Sequence, residues 1–239
     1  MRLNLKDGQQ CVRDFFICLY ENVENWFDVY SLFSLNMVFS TTCIGCGKVG
    51  QSEQNRLHIE MDVPTDGSKL NKNLEEILHG PTVVEYHCKE GCKMKKGAEN
   101  RSMIKSCKET QFVIVILRRV VQGAAGPILV QSTTDSTEKL QIRYFFFQSK
   151  IYDLIMNSRD FNGYSSDFEP ISLIEHKGFI SEEGQSQGHY ICDVKCTETQ
   201  EWLRTDDNHE PMSISLSDVT KKPVVVLYRN VNYSQLNKG

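Results

Sequence analysis

Hydrophobic positions along the chain change period several times, and each change marks an element. Between Val12 and Tyr30, Phe15, Ile17, Cys18, Leu19, Val23, Trp26 and Phe27 recur at roughly helical spacing, with Arg13, Asp14, Glu21 and Glu24 between them. That predicts an amphipathic helix ending near Phe27. From Ser31 the period shortens to two through Leu32, Phe33, Leu35, Met37 and Phe39, as in a half-buried strand. Leu57 to Pro64 alternates in the same way. Leu70 to Leu78 returns to helical spacing, with Leu74, Ile77 and Leu78 on one face, and Gly80-Pro81 stops it. A strand is expected over Thr82 to His87. Gln111 to Val121 is an apolar run closed by Arg118-Arg119, the mark of a strand buried on both faces. Further strands are predicted over Pro170 to Gly178, Gly188 to Val194 and Pro223 to Tyr228. Gly123 to Lys139 reads as a loop and Asn162 to Asp167 as a turn. Ser149 to Ser158 is weakly helical, and Phe179 to Gln187 is acidic, glycine-bearing and mobile in composition.

Composition narrows the class. A chain of 239 residues can bury a proper core, and one domain is the expectation. Hydrophobic content of 40% and charged content of 24% are ordinary for a soluble globular protein. A net charge of −4 argues against a nucleic-acid partner, which calls for a basic stripe. The longest apolar run, Phe112 to Leu117, is strand-sized, so no membrane span is expected. The first residues, Met1 to Gly8, lack the apolar region of a signal peptide. With no such signal, nine cysteines point to reduced thiols and metal rather than a disulfide framework, hence to a cytoplasmic or nuclear setting.

Two cysteine knuckles carry metal-like spacing. Cys43-Ile44-Gly45-Cys46 ends in a glycine, and Cys88-Lys89-Glu90-Gly91-Cys92 follows the Thr82 strand. Four thiolates at the tips of two hairpins suit a structural zinc. The second knuckle has one residue more than the usual spacing, and metal-free reduced thiols are the alternative. His87 is a possible substitute ligand, and Cys107 reads as packing.

The stretch with most chemistry is Gly188-His189-Tyr190-Ile191-Cys192-Asp193-Val194, followed by Trp202-Leu203-Arg204-Thr205-Asp206-Asp207. General-base catalysis needs an imidazole and a carboxylate that fixes its orientation. Taken singly, a strand histidine is an ordinary surface or core residue, and Asp-Asp is an ordinary turn. Cys11 stands at the start of the first predicted helix, where the helix dipole lowers a thiol pKa, so physics alone nominates it as a nucleophile.

Gly-His-Tyr before a strand, with Trp and Asp-Asp on the next, resembles the histidine box of the ubiquitin-specific proteases. Gln9-Gln10-Cys11-Val12-Arg13-Asp14-Phe15-Phe16 resembles the second box of that family, Gln-Gln-Asp-Ala-x-Glu-Phe-Leu, which puts Cys11 at the box's Asp position and not at the nucleophile's. The family's nucleophile lies in a Gly-Asn-Thr-Cys-Tyr-x-Asn box, and no such segment occurs in this sequence.

The resemblance covers Gln9 to Asn230 and implies an α+β, papain-like cysteine protease fold with a truncated thumb. It divides residues 1–239, as a single incomplete domain, into a thumb remnant over about 1–30, fingers over about 31–110 and a palm over about 111–239. It implies His189 as base, Asp206 as its orienting residue and Asp207 in support. Gly188, Tyr190 and Trp202 would face substrate, and Cys43, Cys46, Cys88 and Cys92 would hold zinc. The implied partner is ubiquitin or a ubiquitinated protein, with neither nucleic acid nor membrane. Two functions stay open: a thiol-dependent deubiquitinase whose nucleophile is not found in this chain, and a catalytically inactive ubiquitin-binding scaffold. A zinc-ribbon nucleic-acid binder is opposed by both the charge and the histidine box.

Overall fold

Five consecutive apolar side chains, Val113, Ile114, Val115, Ile116 and Leu117, are all at most 3% exposed, and the sheet is laid around them. Their strand is β6 (Phe112–Arg118). Its odd positions join the larger core cluster, with Leu173, Trp202, Val226 and Tyr228. Its even positions join a second cluster with Val224 and Val225, against which Phe16, Phe33 and Tyr190 pack. Covering both faces explains why this strand carries no polar alternation. Each such side chain contributes about 1.5–3 kcal/mol through burial.

The computed structural model describes residues 15, 16, 19, 29–64, 70–88, 97–107, 109–123, 126–134, 136–144, 164–180, 186–207 and 209–233. It is mostly sheet with few helices. After a short helix α1 (Val29–Phe33) come β1 (Leu35–Cys43), β2 (Val49–Arg56), β3 (Ile59–Asp62) and helix α2 (Leu70–His79). Then follow β4 (Thr82–Val84), β5 (Ala98–Ser106), β6, β7 (Val120–Gly123), β8 (Gly126–Leu129) and β9 (Leu140–Tyr144). The remaining strands are β10 (Tyr164–Ile180), β11 (Ser186–Lys195), β12 (Trp202–Asp206), β13 (His209–Ile214) and β14 (Pro223–Asn230). Eight strands form the main sheet, in the order β13-β12-β11-β10-β14-β6-β3 with β9 also on β10. Pairing is antiparallel except between β3 and β6. A four-stranded sheet, β2-β1-β5-β4, and the β7-β8 hairpin complete it.

Several sequence expectations are corrected here. Leu32 and Phe33 lie in α1 rather than in the strand, which starts at Leu35. Gly123 to Lys139 is not all loop, because Val120–Gly123 and Gly126–Leu129 pair as antiparallel strands. The turn read over Asn162 to Asp167 gives way at Tyr164 to β10, whose 17 residues pair with β9, β14 and β11 in succession. Strand β2 is exposed at every position, so it has no hydrophobic period to read. It forms because β1 offers a ladder from Leu35↔Arg56 to Thr42↔Val49. Ile77, assigned to the packed face of α2, is 36% exposed. Cys107 is buried as packing, as expected.

Candidate functional site

Strands β10, β11 and β12 bring the histidine box together. The β10–β11 register sets Gly178 opposite Gly188, Lys177 opposite His189 and His176 opposite Tyr190. The approach is tight at Gly188. A Cβ there would lie 2.4 Å from the Lys177 carbonyl oxygen, 2.6 Å from Gly178 Cα and 2.7 Å from His176 Nε2. Only glycine fits, and this fixes where the chain enters at His189.

On the other side, β11 pairs with β12 through Cys192↔Thr205, Asp193↔Arg204, Val194↔Leu203 and Lys195↔Trp202. Asp193 is fully buried and receives the Arg204 guanidinium from Nε at 2.7 Å and Nη2 at 2.9 Å. The Thr220 amide donates to the same carboxylate at 2.8 Å, and Arg204 Nη2 also donates to the Asp218 carbonyl at 2.8 Å. This paired, forked arrangement fixes the β11–β12 register. Asp193 and Arg204 were not singled out by sequence. A lone aspartate within an apolar run was the signal, but its partner lies 11 residues on, beyond a turn.

At the far end of that hairpin, Asp206 and Asp207 meet His189 from two sides. Asp206 Oδ1 lies 2.5 Å from Nε2, and Asp207 Oδ2 lies 3.0 Å from Nδ1. Asp207 takes φ 34°, a left-handed value that aspartate tolerates better than most residues. Among the described residues these two carboxylates are the hydrogen-bond and ion-pair partners of His189. His209 Nδ1 lies 3.2 Å from the Asp206 carbonyl oxygen. The His176 ring centroid lies 4.8 Å from that of Tyr190, and burial, then the nearby His189, hold its pKa below the ordinary imidazole value. The structure therefore brings His189, Asp206 and Asp207 together beside Gly188, while Tyr190 packs on His176 and the second apolar cluster. Trp202, expected to face substrate, is 6% exposed within the larger core cluster, where its contribution is packing.

The knuckle cysteines form a separate cluster. Sγ atoms of Cys43, Cys46 and Cys88 all lie within 4.8 Å of one another, and Cys46 to Cys88 is 3.8 Å. Tetrahedral zinc with Zn–S bonds of about 2.3 Å sets two sulfurs roughly 3.8 Å apart, so the donor set fits that ion. The turn between β1 and β2 does the positioning: the Gly47 amide donates to the Cys43 carbonyl at 2.8 Å, and Gly47 takes φ 70°. The Cys46 amide, aimed at Cys43 Sγ, lowers that thiol to about 7. At Cys46 the Lys48 amide pulls down, but burial and the thiols of Cys43 and Cys88 prevail and push it up to about 11. His87, the substitute ligand, is exposed and does not join the cluster. Cys92 and Cys11 lie outside the described residues.

The fold is shared with solved structures of the SAGA Ubp8/Sgf11/Sus1/Sgf73 DUB module. The SAGA Ubp8/Sgf11/Sus1/Sgf73 DUB module bound to ubiquitin aldehyde superposes with a TM-score of 0.70 at 19% identity, over 93% of this chain and 50% of that one. The same module bound to monoubiquitin gives 0.70 and 19%, over 93% of this chain and 49% of that one. A yeast SAGA DUB module structure gives 0.64 and 19%, over 93% and 46%. The chain thus spans about half the length of these structures. No family model matches it, and no curated protein matches it in sequence. Among the described residues no helix is long and apolar enough to cross a membrane.

Proposed function

We propose that this chain is a ubiquitin-specific-protease-like domain whose parent chemistry is thiol-dependent hydrolysis at the C-terminal glycine of ubiquitin. The observation that carries the reading is the 2.5 Å contact between His189 and Asp206, set on adjacent strands of a fold shared with ubiquitin-bound Ubp8. In such chemistry a thiol gives its proton to the imidazole and attacks the glycine carbonyl, and the tetrahedral intermediate collapses to a thioester as the amine leaves with that proton. Water then attacks the thioester and returns the thiol. His189 serves as base and acid, and Asp206 holds its ring. Gly188 and Tyr190 border the channel for the ubiquitin tail. Residues 1–30 belong to the thumb, 31–110 to the fingers that grip the ubiquitin body, and 111–239 to the palm. None of the cysteines in this chain is assigned as nucleophile.

Zinc, held by Cys43, Cys46 and Cys88 with Cys92 as the fourth ligand, would tie the β1–β2 turn to the segment after β4 and supply structural closure. Metal analysis of the purified chain and of Cys43→Ser tests this: the expected result is one zinc per chain, lost in the variant, and an unchanged stoichiometry refutes it.

A second reading, an inactive ubiquitin-binding scaffold, is favoured by one specific observation: both ring nitrogens of His189 face carboxylates. Ubiquitin carrying a C-terminal electrophile separates the two. Covalent labelling supports the enzyme, and binding without labelling, read by calorimetry with free ubiquitin, supports the scaffold. Failure of both to bind removes ubiquitin as the partner.

A further inference from the structure

A general base must present a ring nitrogen with a free lone pair. In His189 neither is free: Nε2 faces Asp206 at 2.5 Å and Nδ1 faces Asp207 at 3.0 Å. Nε2 is hydrogen-bonded to Asp206, and the Asp207 carboxylate oxygen stands 3.0 Å from Nδ1, where it blocks the approach of another group to that nitrogen. We propose that Asp207 is a built-in cap on His189, occupying the nitrogen that would accept a thiol proton, so that the ring becomes a base only when Asp207 turns away.

The two acids differ in how firmly they are held. Asp206 ends β12, its side chain is 38% exposed, and its carbonyl oxygen also meets His209 Nδ1 at 3.2 Å. Asp207 lies in the turn beyond the strand, its side chain is 70% exposed, and among the described residues Nδ1 of His189 is its one ion-pair partner. An exposed pair of this kind is weak and screened by salt, so the cap opens readily while Asp206 stays in place. The other titratable groups facing His189 are His176 and Lys177 on β10, His176 being electrostatically coupled to His189, and His209 on β13, which meets the Asp206 carbonyl. The cap stands on geometry alone. Its meaning as a gate on proton transfer rests on the reading of His189 as a base.

Acylation by diethyl pyrocarbonate tests it, because the reagent attacks only an imidazole nitrogen with a free lone pair. The full chain is treated at low and at high salt, and modification of each histidine is quantified by peptide mass spectrometry. Asp207→Gly removes the carboxylate and suits the left-handed backbone at this position. The expected result is a roughly two- to fivefold faster acylation of His189 in Asp207→Gly, with His209 unchanged, and a similar gain in the wild-type chain at high salt. Unchanged or slower acylation of His189 in the variant overturns the proposal. Should the variant not fold, the salt arm on the wild-type chain decides alone, and a flat response there overturns it. Ubiquitin binding is measured separately, so loss of the proposed partner and loss of the cap are distinct outcomes.

Discussion

Arg204→Met isolates the fork that joins the strands carrying His189 and Asp206. Asp193 is 0% exposed and loses two of its three donors in this variant, keeping only the Thr220 amide at 2.8 Å. Breaking a buried pair by removing one partner costs about 3–5 kcal/mol, because a charge stays behind without compensation. The Arg204 side chain is 21% exposed, so water enters part of the vacated space and the lower end, about 3 kcal/mol, is expected. For a chain of this length that corresponds to a fall in Tm of about 6–12 °C. Urea unfolding followed by circular dichroism measures it, with an unchanged slope showing that the midpoint alone has moved. Asp62→Ala is the control. Its pair with Arg118 has side chains 54% and 62% exposed, and an exposed pair contributes about 0–1 kcal/mol. Replacing both partners, Asp193→Leu with Arg204→Met, should recover most of the loss, since an apolar pair leaves no buried charge. The reasoning is refuted if Arg204→Met costs no more than Asp62→Ala, or if the double variant is as unstable as the single one.

Two other perturbations are expected to act through equally local causes. Gly188→Ala places a methyl 2.4 Å from the Lys177 carbonyl oxygen and 2.6 Å from Gly178 Cα, both backbone atoms that cannot yield without parting β10 from β11; a loss of about 1–3 kcal/mol and faster amide exchange at Lys177 and Gly178 are expected, and wild-type exchange there would refute the steric account. Glu169 is held below the usual carboxylate range by its bond from Arg229, then by the charges of Arg229 and Lys195. Because the folded value is depressed, its stabilisation is complete above the unfolded value and disappears as pH falls through the folded one. The gap in stability between wild type and Glu169→Gln should therefore be largest near neutral pH and close in acid, and a gap independent of pH would remove Glu169 from the acid response.

Much of the site was legible because its residues are close in sequence. Gly188, His189 and Tyr190 are consecutive, and Asp206 and Asp207 return after one turn, so a hairpin was enough to join them. The thiol cluster was legible for a related reason, since Cys43 and Cys46 share one turn and the strand pairing of β1 with β5, and β5 with β4, delivers Cys88. Strands without a hydrophobic period were not legible. β2 is polar throughout, and its existence depends on the free edge of β1 rather than on its own residues. The β7–β8 hairpin was hidden by its glycines, which read as loop until their partners are known. Trp202 stands between the two cases: its motif position suggests a substrate contact, and the structure places it, 6% exposed, in the larger core cluster.

The geometry separates what must be rigid from what must be free. The strand carrying His189 is fixed at Gly188 by the Gly178 approach, which leaves no room for even a methyl group, and, four residues beyond His189, by the Asp193–Arg204 fork. Those two constraints reach the ring through the backbones of β10 and β12, so neither touches its nitrogens. Asp206 is the last residue of β12, where it pairs with His209 of β13 beyond a register shift after Arg204, so a strand holds its backbone. Asp207 has left the sheet. It owes its position to one left-handed residue and one exposed ion pair, both of which can change without moving a strand. The two carboxylates, adjacent in sequence, are held with different firmness because only Asp206 belongs to a strand, and the proposed cap depends on that difference.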